Sequence, residues 1–87
     1  MNDEGRSAVR AAALLCKDNA FQRWMLGGSY LPGDHEANEG ATIAEVRLLL
    51  GVKSRAEIGA DQEKLLEWRS LCRRFEQARR GNVPAGR

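Results

Sequence analysis

The sequence predicts an all-α fold, a compact bundle of four main helices plus a short capped helical turn, with no sheet. Three observations carry this. Apolar residues recur three and four apart in four separate stretches. Each stretch opens on Ser, Asp or Thr, and the last three close at a glycine, residues that suit helix starts and stops, while Lys17–Asp18 alone separates the first from the second. No run alternates polar and apolar with period two over a useful length, so no strand is expected.

Residues 1–6 read as a disordered lead-in. Ser7 can cap a first helix, whose Val9, Ala12, Ala13 and Cys16 fall on one face. Asp18 caps a second, short helix that carries Phe21, Trp24 and Met25 on one side, with Gln22 and Arg23 on the other. Gly27 and Gly28 end it. Residues 27–40, GGSYLPGDHEANEG, hold four of the nine glycines and one of the two prolines, and read as the longest loop, with Tyr30 and Leu31 folding back onto the core. Thr42 and Glu45 form a capping box for the third helix, whose apolar face is Ile43, Val46, Leu49 and Leu50, and Gly51 is a natural stop. Ser54 and Glu57 form a second box over one turn ending at Gly59, with Ile58 as its hydrophobic contact. Asp61 caps the last helix, roughly 62–80, in which Leu65, Trp68, Cys72 and Phe75 step by three, four and three and Leu71 widens the stripe. A flexible tail, 82–87, follows, and the single helical domain spans 7–81. The expected core is Val9, Ala13, Cys16, Phe21, Trp24, Met25, Val46, Leu49, Leu50, Ile58, Leu65, Trp68, Cys72 and Phe75.

Composition narrows the setting. Hydrophobic residues make up 43% and charged residues 30%, ordinary for a globular protein. No stretch approaches the roughly 20 apolar residues that span a bilayer, and no signal-peptide pattern follows the acidic N-terminus. A cytoplasmic protein is expected, in which Cys16 and Cys72 stay reduced and act as small buried hydrophobes. The single His35, in a loop between Asp34 and Glu36, lacks zinc-ligand spacing. No nucleophile has a base at a recognisable spacing and no glycine-rich phosphate loop is present, so the chain reads as a binder rather than an enzyme. No cofactor, metal, membrane partner or small-molecule substrate is expected.

Charge is unevenly placed. From Trp68 to Arg87 six arginines face one acid, Glu76, a net +5, which leaves −3 for the rest of a chain whose total is +2. Arg69, Arg73, Arg74, Arg79 and Arg80 are the candidate contacts for an anionic partner, with Arg69, Arg73 and Arg80 near one helix face. The bland reading is a solvated face whose cations suit the negative end of the helix.

A second candidate lies in residues 42–58, TIAEVRLLLGVKSRAEI. Leu50-Gly51-Val52 suits the turn of a DNA-binding helix-turn-helix, and Lys53, Ser54 and Arg55 would open its reading helix. Two positions depart from that motif. Arg47 stands where close packing asks for a small side chain. Glu57 stands where an inward apolar residue is needed, with Ile58 one step late, a rotation of about 100° on a helix. A capped turn between two core helices accounts for the same residues.

Three segments, AALLCKDNAFQRWM (12–25), LLLGVKSRAEI (48–58) and LEWRSLCRRFE (66–76), together resemble a family of small phage and prophage proteins of unknown biochemical function. The resemblance covers roughly residues 8–78, and Gly51 to Ile58 is its most specific part. Leu50 stands where that pattern often has cysteine, and the glycine-rich central segment departs from it. Such proteins tend to be encoded in replication or recombination regions. The resemblance therefore implies an accessory protein that binds a nucleic-acid intermediate or a phage or host protein. Two further readings are a regulator using residues 42–58, and an interaction module or homo-oligomer with no nucleic-acid role that docks through Tyr30 and Leu31.

Overall fold

A computed structural model describes residues 2–81. Among the described residues there are five α-helices and no strand: α1 (Asp3–Leu15), α2 (Asn19–Leu26), α3 (His35–Leu50), α4 (Ala56–Ala60) and α5 (Gln62–Arg79), with a single 3-10 turn at Gly27–Ser29. This is the all-α bundle of four main helices and one short one that the sequence predicts. The expected tail at 82–87 lies outside the described residues.

α1 starts five residues earlier than expected. Asn2, not Ser7, is its cap, and the Asn2 side chain accepts the Gly5 amide at 2.7 Å. Residues 3–6 are therefore helical rather than a disordered lead-in. The early start makes sense of Asp3 and Glu4, acids that suit the positive end of a helix. The buried stripe is Gly5, Ala8, Ala12 and Cys16, with Val9 and Ala13 half-buried beside it. Small residues on this stripe let α1 lie close on α4.

α2 begins as expected, with the Asp18 carboxylate accepting from Ala20 and Phe21. Gln22, expected on the outer side, is fully buried. Its amide donates to the Cys16 carbonyl at 2.8 Å, which satisfies one of the carbonyls α1 leaves unpaired at its end.

The central segment differs most from expectation. α3 begins at His35, capped by Asp34, so residues 35–40 are helix and not loop. What remains is a tight turn, with Pro32 and Gly33 at its centre, closed by the Asp34 amide on the Leu31 carbonyl at 3.1 Å. Gly33 takes φ 87°, a conformation that favours glycine. Thr42 caps nothing. It is buried in mid-helix and its hydroxyl donates to the Asn38 carbonyl at 2.7 Å. Buried positions on α3 recur every four residues at Asn38, Thr42, Val46 and Leu50, which turns Leu49 outward to 54% exposure. Tyr30 is half-buried and Leu31 is exposed. The loop is fastened by its backbone instead: Asn38 accepts the Leu31 amide and donates to its carbonyl, both at 2.8 Å.

Gly51 stops α3 in the left-handed conformation, and Val52 and Gly51 donate to the carbonyls of Arg47 and Leu48 at 3.0 and 3.3 Å. Val52 then enters the core. Glu57 carries its half of the second capping box, accepting from the amides of Lys53 and Ser54 at 2.8 and 3.1 Å. Gly59 lies inside α4 and does not break it. Asp61 caps α5 through the Glu63 amide. Phe21 centres the core, edge-on to Phe75 at 5.0 Å and to Trp68 at 6.4 Å, with Trp24 at 6.1 Å.

Candidate anionic-partner surface on the last helix

α5 is amphipathic. Leu65, Trp68, Leu71 and Phe75 are buried, and the arginines lie around the rest of its circumference. At 100° per residue, Arg69, Arg73 and Arg80 fall within 40° of each other on one exposed strip. Arg74 sits about 100° further round. Arg79 points the other way, back over the Phe75 ring at 5.7 Å. The five candidate arginines are therefore not one face but a three-residue strip with one arginine on each flank.

Their partners differ as well. Arg69 reaches across to α1 and donates to Glu4 at 2.8 Å, an exposed pair that ties the two helices. Arg79 lies 3.8 Å from Glu76. Among the described residues Arg73, Arg74 and Arg80 make no ion pair, and all three are exposed. An arginine with no carboxylate to give up is the cheaper one to offer to a phosphate. Arg74 borders a shallow hollow with Leu49, Leu50, Glu67, Ser70 and Leu71.

Arg79 brings in residues that charge counting misses. It lines a cleft of about 340 Å³ between α2 and α5 with Ala20, Arg23, Trp24, Phe75 and Ala78. Arg23 and Arg79 both line this cleft, beside two aromatic rings, and small alanines leave it open. Arg23 also stacks over Tyr30 at 4.9 Å. Trp24, expected wholly in the core, is half-buried and lies 5.4 Å from Phe75. Arg23 was legible only as an outward residue of α2. Nothing in the sequence places it against the end of α5.

The second candidate set occupies the connection from α3 to α4. Lys53 is exposed, while Ser54 and Arg55 are half-buried. The helix after them is five residues long, its Ile58 is fully buried, and it packs on α1 and α5. Arg47 is exposed, so its size disturbs no packing.

Among the described residues no three of His, Cys, Asp and Glu gather as metal ligands, and no helix is long and apolar enough to cross a membrane. His35, at the start of α3, lies 3.3 Å from the Asn19 side chain. Cys16 and Cys72 are free thiols, the first buried and the second half-buried. Burial raises the pKa of both. Cys72 is pushed up to about 11, with the Glu76 carboxylate adding to the effect. Such thiols stay protonated at neutral pH and are poor nucleophiles. No family model, curated protein or solved structure matches this chain.

Proposed function

We propose that this chain is a non-catalytic cytoplasmic accessory protein that binds a nucleic-acid intermediate through the C-terminal half of α5. That setting is the one implied by its resemblance to small phage and prophage proteins. One observation carries the reading: Arg73, Arg74 and Arg80 are exposed and have no ion pair among the described residues, on the same helix end whose Arg79 joins Arg23 beside Trp24 and Phe75. Cations on the strip suit phosphates, and a half-buried indole flanked by guanidinium groups suits an unstacked base. Single-stranded nucleic acid fits this pair of features better than duplex, whose bases are already stacked. The turn at 53–58 supports a groove-reading regulator less well, because a five-residue helix packed on two neighbours has little length to place in a major groove.

The test is fluorescence anisotropy with random single- and double-stranded DNA at about 50 and 200 mM salt, where a phosphate-driven affinity falls steeply. An Arg73/Arg74/Arg80→Ala variant runs alongside. The expected result is salt-sensitive binding that prefers single strands and is lost in the variant. Absence of binding at the lower salt defeats the proposal.

A further inference from the structure

α3 presents two unlike sides. Its inner side is the stripe Asn38, Thr42, Val46 and Leu50. Its outer side carries Ala37, Ala41, Ala44 and Leu48, spaced four, three and four, with Gly40 beside them. All five are exposed, and Leu48 is 76% exposed. A side chain added at Gly40 would meet nothing within 4 Å. A water-facing helix of 16 residues ordinarily carries its charges on its outer side. Here the charges, Glu36, Glu39, Glu45 and Arg47, all lie off that stripe. The 4-3-4 repeat of small and apolar residues is the seam of a helix pair, and alanine and glycine let two backbones approach closely.

We propose that this outer face of α3 seats α3 of a second copy of the chain, antiparallel and related by a two-fold axis. The charges at its border select that occupant. Glu36 and Arg47 are eleven residues apart, which places them about 20° apart in azimuth, on the same edge of the seam, and about 16 Å apart along it. Both are exposed, and neither is in an ion pair among the described residues. Antiparallel docking of two copies sets Glu36 of each beside Arg47 of the other. It also sets Ala37 against Leu48 and Ala41 against Ala44, small against large and small against small. Parallel docking about a two-fold axis would carry the two Glu36–Arg47 edges to opposite sides of the seam, where they could not pair. A face that complements itself under a two-fold rotation is what an isologous contact requires. The helix dipoles oppose as well, which favours the same orientation. This inference is independent of nucleic-acid binding.

The experiment is light scattering after gel filtration of the full chain, from about 10 to 500 µM, because a self-association follows mass action. The expected mass rises with concentration from 9.7 kDa toward twice that value. Ala44→Glu, at an exposed helical position, should keep the helical circular dichroism and weaken association more than about tenfold. Glu36→Arg and Arg47→Glu should each weaken it, and the two together should restore it. A wild-type chain that stays monomeric throughout overturns the proposal, as does a dimer that tolerates Ala44→Glu. A dimer that the paired exchange fails to restore overturns the antiparallel seat.

Discussion

Gly5 in α1 and Gly59 in α4 touch backbone to backbone. A methyl group at Gly59 would strike the Gly5 carbonyl oxygen and lie 2.7 Å from its carbonyl carbon. Ala8 and Ala12, both buried, continue the same small-residue stripe along α1. In an isolated helix Gly59→Ala would gain about 1 kcal/mol of propensity. Here the added carbon meets backbone, which cannot rotate away, and overpacking of that kind costs about 1–3 kcal/mol or more. Gly59→Ala is therefore expected to lower stability by up to about 2 kcal/mol net in urea denaturation. An unchanged or raised midpoint would show that the two helices can separate at no cost.

Asn38 holds the turn between α2 and α3. It is buried, and its side chain satisfies both backbone groups of Leu31. Asn38→Ala leaves the Leu31 amide without its acceptor and removes one donor from the Leu31 carbonyl. The cost of stranding such groups is about 1–3 kcal/mol. Hydrogen exchange at the Leu31 amide should accelerate in this variant while the amides of α5 hold their protection. Equal loss across the bundle would mean that Asn38 supports the whole core rather than the turn.

The fold was legible where helix caps and glycine stops act locally. Asp18, Gly51 and Asp61 do what their chemistry suggests, and Leu65, Trp68 and Phe75 lie on the stripe their spacing draws. What failed to show was tertiary. Thr42 and Glu45 satisfy the pattern of a capping box, but Asp34 offers a cap eight residues earlier, and Asn38 is drawn inward because the turn needs its amide. Once α3 starts at His35 its buried stripe is fixed by the α2 and α5 contacts, and Leu49 turns out. Gln22 looks like a surface residue until the unpaired Cys16 carbonyl is placed beside it. In the candidate site the arginine count was legible. The sorting of arginines into paired and unpaired was not, because Glu4 is 65 residues from Arg69.

That sorting has its own consequence. Replacing Arg69 removes an exposed ion pair, worth about 0–1 kcal/mol. It should cost little nucleic-acid affinity, since the guanidinium is already engaged by Glu4. Replacing Arg73 or Arg74 should leave stability within about 0.5 kcal/mol. Each should also reduce the salt slope of binding by about one. Salt titrations of the three single variants decide the point. Equal slopes for all three would mean that the Glu4 pair opens on binding.

Trp68 is the heaviest test of the core. It is 2% exposed and stands edge-on to Phe21. Truncation of a buried aromatic costs about 3–5 kcal/mol, against about 5–15 kcal/mol for a whole domain. Trp68→Ala should lose its cooperative thermal transition by circular dichroism. A variant that melts within a few degrees of the wild type would mean that Phe21 and Phe75 hold the bundle without the indole.

Cys72 gives the fold a dependence on alkaline pH. Its thiol is raised from the ordinary 9.0 to about 11, first by burial and then by the Glu76 carboxylate. In the unfolded chain the thiol ionises near 9, whereas in the bundle it holds its proton longer. The folded state thus binds more protons over that window, and stability falls as pH rises through it. The contribution is fully present below pH 9 and is lost as the pH passes about 11. Urea midpoints measured at pH 8, 9 and 10 (roughly one step apart across the onset) should decline for the wild type and decline less for Cys72→Ala. In the same range the wild-type thiol should react with an alkylating agent more slowly than an exposed cysteine, because the thiolate is the reactive form. Parallel urea curves for the two proteins would move the alkaline loss to other groups and remove Cys72 from the account.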